Sequence, residues 1–486
     1  MQRICFLGVF VGLLASPPLA WGAPTALSPQ EAVKRAIEHN LGHRAARLAT
    51  ALSPANERAA EASYDTRLVA GVELGGSTQR LALSRLDIPL LTTLELSGSV
   101  GIEKRFVTGT ALGAKLSTLF QFDTDDDLDG SRTTGTFSLS VNQSLLRGLS
   151  TVANKVAITN ARYSRLAAEA RLRRQAELLA SKVLKAYWDL HDSIARARIQ
   201  RVALAQAKVT VSETEQLIQG QRLAEAELVV ARHQVAIQER AVLLADQQVE
   251  NARDSLARLM GAVGPRSLET PIYLTQEPAP FTGLVGKLDE LQKQAYKQRG
   301  DYQALKTEAA MYGVRVDAAR HFLLPRLDLV ANVSVGPKRS LIDPTAIEPR
   351  TTGWFNWSMG LFFELPLGNR EARAEVELAD LRTQQVKVGI LELEQSISEE
   401  LKVAWRGVQA AQALVKLSAS TVEVAETKLK NELERYRAGK SSGQILLIVQ
   451  TDLIQERLSL QQAKATLQKS IVDLRATSGD LLSAPR

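Results

Sequence analysis

Alternation with a period of two marks six stretches of the chain. Between Thr93 and Phe106, the residues Leu94, Leu96, Val100, Ile102 and Phe106 fall on one face of an extended strand. Thr93, Glu95, Ser97, Ser99, Glu103 and Arg105 fall on the other. Leu112, Ala114, Leu116, Phe120 and Phe122 repeat the pattern, as do Phe137, Leu139 and Val141 against Ser138, Ser140 and Asn142. A shorter version runs through Leu68, Ala70, Val72 and Leu74. The second half adds Leu327, Leu329, Ala331, Val333 and Val335, then Phe355, Trp357, Met359, Leu361, Phe363 and Leu365. The β segments are therefore expected within residues 66–147 and 326–366. Segments of about 9–11 residues, apolar outside and polar inside, suit a transmembrane β-barrel. Its lipid-facing positions would include Leu94, Leu96, Leu139, Leu329, Val333, Trp357 and Leu361. Trp354, Phe355 and Trp357 suit part of an interfacial aromatic girdle. A soluble sandwich alternates equally well, so periodicity alone leaves both readings open. One chain offers too few strands for a wide pore, and several chains would have to share the wall.

The period then changes. Residues 149–261 hold almost no strand signal and no proline, and break near Gln219-Gly220-Gln221 into two long helices. Residues 371–478 repeat this, broken around Ala438-Gly439-Lys440-Ser441-Ser442-Gly443. A helix of some 65 residues spans roughly 100 Å, too long for a single globular core. Ile397, Leu401, Ala404, Val408, Ala411, Val415, Ser418, Val422, Ala425 and Leu429 recur at spacings of four and three, the seam of a coiled coil. Shorter helices precede the strands. Ser28-Pro29-Gln30-Glu31 supplies an N-cap, an N1 proline and Glu at N3, and Leu41 to Ala62 continues as a second helix. Leu288–Gln298 and Asp301–Phe322 take the equivalent places in the second half. Ile237-Gln238-Glu239-Arg240 returns as Ile454-Gln455-Glu456-Arg457, and Trp188 returns as Trp405 at the same offset of roughly 217 positions. The chain thus reads as two repeats, residues 23–264 and 287–486, joined by a proline-rich connector at 265–286.

Composition changes this picture in three ways. Met1 to Gly22 has the positive start, apolar stretch and small-residue end of a secretory signal, so the mature chain is expected to begin at Ala23. The only cysteine, Cys5, lies in that segment, which leaves no disulfide or thiolate metal site in the mature protein. The formal charge of +7 is spread over mixed-sign helices without a basic block, and gives no support for nucleic-acid binding.

The order of several short motifs carries a resemblance. Leu27-Ser28-Pro29-Gln30-Glu31-Ala32, Leu324-Pro325-Arg326-Leu327, Gly368-Asn369-Arg370 and Tyr436-Arg437-Ala438-Gly439 follow one another as in the TolC-like outer-membrane efflux proteins, which the chain resembles over nearly its whole mature length. The resemblance implies a mixed α and β membrane protein. Three protomers would build one outer-membrane β-barrel, continued by a long periplasmic α-helical coiled-coil barrel. It also implies two strands per repeat, hence 12 in the trimer. The four alternating segments of the first repeat would raise this to about 18 if the extra hairpin joined the wall, and the family number is the expectation. Partners implied are a periplasmic adaptor, an inner-membrane pump and outer-membrane lipid. The family's docking tips map onto exposed turns at Gly220, Gln221, Tyr436, Arg437, Gly439 and Ser442. Relatives narrow the periplasmic entrance with acidic residues beyond the second turn. Here those positions include Ile445 and Ile448 with Lys440 nearby, so the acidic gate does not carry over; Glu225 and Glu227 could supply negative charge instead, but solvated helix-face positions are the favoured reading for both.

Catalytic chemistry finds no footing. Asp125, Asp127, Asp129 and Gly130 imitate an EF-hand start, but Thr136 stands where the bidentate carboxylate belongs. His39 and His43 have four-residue spacing, yet Asn40 and Gly42 break the helix between them and favour an interhelical turn over a metal pair. No phosphate loop, nucleophile elbow or triad occurs, so a non-enzyme without cofactor or metal is expected. The expected function is an outer-membrane exit duct of a tripartite efflux or type I secretion system. The alternative is a periplasmic coiled-coil adaptor or structural stalk without a pore.

Overall fold

The computed structural model describes residues 25–80, 90–123, 131–262, 272–275, 286–340 and 353–482. The signal-like segment, the acidic cluster at 125–130 and most of the connector lie outside these residues. In chain order the elements are β1 (Thr25–Leu27), α1 (Pro29–His39), α2 (Leu41–Glu61), β2 (Arg67–Arg80), β3 (Leu90–Arg105), β4 (Thr110–Asp123) and β5 (Ser131–Ser144). They continue with α3 (Thr151–Asn154), α4 (Val156–Gln219), α5 (Ala226–Leu259), β6 (Ile272–Leu274), α6 (Leu288–Gln298) and α7 (Gly300–His321). The last are β7 (Arg326–Ser340), β8 (Gly353–Glu364), α8 (Arg370–Arg437) and α9 (Gly443–Ser478).

Local chemistry accounts for the starts and stops. The Ser28 side chain caps α1 by accepting from the Glu31 amide at 3.2 Å, with Pro29 at the first position and Glu31 paired to Arg35 one turn on. The Asn40 side chain accepts from the His43 amide and donates to the Leu259 carbonyl, so the His39–His43 stretch is a capped turn between two helices. α4 and α8 hold 64 and 68 residues, on the order of 100 Å each.

The chain divides into two compact units. One comprises Met1–Ala46, Arg174–Arg299 and Ile397–Arg486. Its largest apolar cluster joins Leu27, Ala32, Ala36, Val183, Tyr187, Leu190, Leu256, Met260 and Val472. Tyr187 packs edge-on to Trp188 at 5.3 Å and donates its hydroxyl to the Leu27 carbonyl. Leu27 belongs to a two-stranded parallel sheet, β1 with β6, which the sequence pattern does not announce. The heptad seam is buried or half-buried along α8, with Ile397, Leu401 and Val408 fully covered. Farther along, Val408 and Ala411 meet Leu467 of α9, and Val422 and Ala425 meet Leu453.

The other unit, Arg47–Arg173 and Gly300–Ser396, carries the large sheet. Its strand order is β2-β3-β4-β5-β7-β8, antiparallel throughout. All six alternating segments of the sequence therefore join one sheet, where the resemblance implied two strands per repeat. The first-half hairpin is neither above nor below the sheet but two further strands of it. Strands of 12–16 residues also exceed the segments read from alternation, because the ladders run on past the apolar core of each strand. Ala167, Ala170 and Ala304 form a small-residue contact between α4 and α7 in the same unit.

Candidate functional site

The sheet has two unlike faces. Across the ladder, Leu74 pairs with Leu96 and Leu96 with Phe120; Ala114 pairs with Leu139, Leu139 with Val333 and Val333 with Trp357. Leu329 pairs with Leu361, and Gly76 with Leu94. Leu94, Leu96, Leu139, Leu329, Val333, Trp357 and Leu361 therefore share one face, in rows that cross all six strands. That face is bare: Trp357 is 69% exposed, Leu361 67% and Val72 81%. A soluble sandwich would bury it against a second sheet. A contiguous apolar surface of this kind marks an interaction with membrane or partner.

The opposite face is polar. Ser97, Ser99, Ser117, Ser138, Ser140, Asn332, Ser334 and Ser358 line it in register. The Gln121 amide donates to Glu95 at 2.7 Å, and Arg67 reaches Glu103 across the β2–β3 ladder. Arg326 pairs with the buried Asp328 at 2.7 Å, lies 3.7 Å from Glu364 and stacks over Phe362. β2 and β8 end the sheet, and each has an edge that is unpaired among the described residues. Unpaired edges of this length are templates for another strand. At the start of α8, Arg147, Arg315, Arg370, Glu371 and Tyr312 border an open groove of about 850 Å³.

In the other unit, the two helical hairpins meet at their turns. Both first arms end in the same hydrogen-bonded C-cap. At the first tip the Arg222 amide bonds to the Leu217 carbonyl and the Gln221 amide to Ile218. At the second, Lys440 bonds to Arg435 and Gly439 to Tyr436. The left-handed residue is Gly439 in one case but Gln221, with φ +58°, in the other. Gly220, expected to serve the turn as its glycine, sits one position too early for that role.

Side chains fasten the tips together. The Tyr436 hydroxyl and Thr214 Oγ1 lie 2.9 Å apart, and Thr214 donates on to the Thr210 carbonyl. Arg437 makes a two-pronged pair with Glu213 at 2.7 and 3.3 Å. Gln450 donates to Thr210, and Glu227 accepts from the Gly443 amide at 2.8 Å, capping α9 from the other hairpin. Tyr436, expected on an exposed turn, is instead 1% exposed. Its ring fills the space between hairpins, so it supports the turn from beneath rather than presenting itself. Burial pushes its hydroxyl above the ordinary tyrosine range, and the nearby Glu227 and Glu213 add to the effect. Gly220, Gln221, Arg437, Gly439, Lys440 and Glu225 are exposed, while Ser442 and Glu227 are half-buried. Thr214, Thr210, Glu213 and Gln450 escaped sequence reasoning. The only local hint was two threonines four residues apart on one helix face.

Among the described residues no three or more His, Cys, Asp or Glu side chains converge as a metal site, and no helix is long and apolar enough to cross a membrane.

Residues 291–480 match the family model described as outer membrane efflux protein. No curated protein matches the chain. Among solved structures, the outer-membrane channel OprN aligns over 93% of this chain and 90% of its own at a TM-score of 0.67 and 18% identity. The outer membrane protein VceC of Vibrio cholerae aligns over 93% and 96% at 0.65 and 17%. The MtrE outer membrane channel of Neisseria gonorrhoeae, solved in an open state, aligns over 93% and 89% at 0.62 and 18%. At such identities these structures establish the shared fold. The family match thus covers residues 291–480, and the fold shared with these outer-membrane channels spans nine tenths of the sequence.

Proposed function

We propose that the chain is the outer-membrane exit duct of a tripartite efflux or type I secretion system. Three copies close their sheets into one barrel, with the apolar rows toward lipid and the polar face toward a water-filled lumen. The coiled-coil hairpins continue the passage through the periplasm toward an adaptor and an inner-membrane pump. Conduction through the duct is passive, and the pump supplies the energy. The observation that carries this reading is the unbroken apolar face across six antiparallel strands with an open edge on either side. Only lipid on that face and further copies at those edges would satisfy both features.

The exposed parts of the turns, Gly220, Gln221, Arg437, Gly439 and the adjoining Ser442, are the surface offered to an adaptor. Glu225, Glu227 and Lys440 set the charge around the entrance. The two isoleucines beyond the second turn, Ile445 and Ile448, are about half-exposed on α9 and supply none.

Extraction of the protein from outer membranes tests the assembly. A three-copy oligomer released only by detergent supports the duct. Release by high salt without detergent would favour the adaptor or stalk reading, which has no barrel.

A further inference from the structure

We propose that the hairpin β2–β3, residues 67–105, is a section of the membrane wall itself, so that the barrel closes where β2 of one copy meets β8 of the next and contains 18 strands. The inference rests on the duct reading and specifies its outer-membrane section.

Three features of the hairpin argue for it. First, β2 pairs with β3 along its whole length, from Arg67 opposite Glu103 to Arg80 opposite Leu90, and β3 pairs with β4 from Arg105 to Thr93. β4 thus has β3 on one side and β5 on the other, and its edge is not free to meet a second copy. Second, the hairpin extends the apolar rows. Leu68, Ala70 and Leu74 lie opposite Ile102, Val100 and Leu96, which lie opposite Ala114, Leu116 and Phe120. A hairpin standing clear of the membrane would have no use for a lipid-facing stripe in those rows.

Third, the turn at the foot of the hairpin, which leads from β3 into β4, is locked to the base of the sheet. The Asn154 amide donates to the Val107 carbonyl at 2.9 Å and to the Gly148 carbonyl at 2.6 Å. The Ser144 amide bonds to the Gly109 carbonyl, and Gln143 donates to the Thr108 carbonyl. Gly109 has φ +79° and lies so close to Gly148 that a Cβ there would collide with its carbonyl. The turn is therefore held against the passage from β5 into α3.

The free edges are complementary. β2 and β8 run in opposite senses, as an up-and-down barrel requires. A row of Cα partners starting at Arg67 passes through Glu103, Gly113, Ser140 and Asn332 to Ser358. Ser358 lies six residues before Glu364, the end of β8. Bringing the strand ends level sets Arg67 of one copy beside Glu364 of the next, polar face to polar face and with opposite charge. That closure gives each copy a stagger of about six residues and a strand tilt of about 35°, within the range barrels adopt. Eighteen strands at that tilt make a backbone radius of about 17 Å, against about 11 Å for twelve. The lumen is polar and its cross-section more than doubles, which suits bulky hydrophilic cargo.

Disulfide trapping in the full-length oligomer tests the closure, with Cys5→Ser removing the native thiol. Arg67→Cys and Glu364→Cys stand five strand spacings apart in one chain, about 24 Å along the sheet. A disulfide needs Cα atoms within about 7 Å, so any bond joins different copies. The expected result is a covalent trimer ladder from this pair and none from Ala111→Cys with Glu364→Cys. A ladder from the second pair would overturn the proposal while leaving the duct reading intact. If neither pair bonds, counting strands in cross-section by electron cryo-microscopy of the same oligomer decides: eighteen supports the proposal and twelve overturns it. Failure to recover any membrane-embedded oligomer would remove the duct reading and the inference together.

Discussion

Val333 and Asn332 are neighbours in sequence and point to opposite faces of the sheet. Val333 stands between Leu139 and Trp357, and Asn332 between Ser140 and Ser358. Val333 is the middle residue of β7, which places it near the bilayer midplane in the proposed wall. An arginine on the lipid face at that depth costs about 2–4 kcal/mol. At about 1.4 kcal/mol per tenfold, Val333→Arg should lower the ratio of folded to unfolded chains roughly 30- to 700-fold. Asn332→Arg places the same charge in the lumen, among serines and water, and should change it less than about fivefold. Folding of urea-unfolded chains into lipid vesicles, followed by tryptophan fluorescence, measures both. Equal losses for the two variants, or a larger loss for Asn332→Arg, would refute the assignment of faces.

Three further perturbations address the helical unit. Tyr436→Phe removes the hydroxyl facing Thr214 while Thr214 keeps its bond to the Thr210 carbonyl, so the cost should be about 1 kcal/mol. Hydrogen exchange at the tip amides should then quicken about fivefold with the middle of α4 unchanged, and an unaltered tip would count against the Tyr436–Thr214 contact. Gly439→Ala forces a side chain into a left-handed position and should cost about 1–2 kcal/mol; Gly220→Ala, which meets no such demand, should be neutral or stabilising in the same measurement.

Asp192 is charged at a cost. Burial raises its pKa, Arg196 and Lys469 only partly oppose this, and its Oδ1 atom has no hydrogen-bond partner. A carboxyl raised in the fold contributes stability that is complete below its unfolded pKa and lost as pH rises through the folded value. Asp192→Asn should therefore raise the thermal midpoint at pH 7, with the gain shrinking below about pH 4, where the unmodified side chain is protonated in both states. A variant equally destabilised at both pH values would contradict this.

The strand faces, the helix seam and the positions of both tips are legible in the sequence because each depends on near neighbours. Leu94 and Leu96 declare a face by alternation, and Ile397, Leu401 and Val408 declare a seam by heptads. Adjacency is another matter. Nothing local tells β5 that its partner is β7, yet that pairing, with Ser144 opposite Asp328, joins the strands of both halves in one sheet. β1 and β6 are three residues each, too short to show a period, and they meet across more than two hundred positions. Tyr436 illustrates the same limit at the candidate site. Its turn is evident from Gly439, but its burial depends on Thr214, 222 residues earlier and on another hairpin. Gln221 shows how sequence reasoning misplaces a cap. The nearest glycine draws attention, while the backbone takes its left-handed turn one residue later.

Ion conductance across a planar bilayer is the most direct test of the central claim, that this chain forms a water-filled duct. The detergent-purified oligomer should be measured as the unmodified protein and as a Tyr436→Phe, Arg437→Ala variant whose tip contacts are loosened. The account predicts reproducible unitary steps, no smaller in the variant. Both proteins inserted, oligomeric and electrically silent would contradict it.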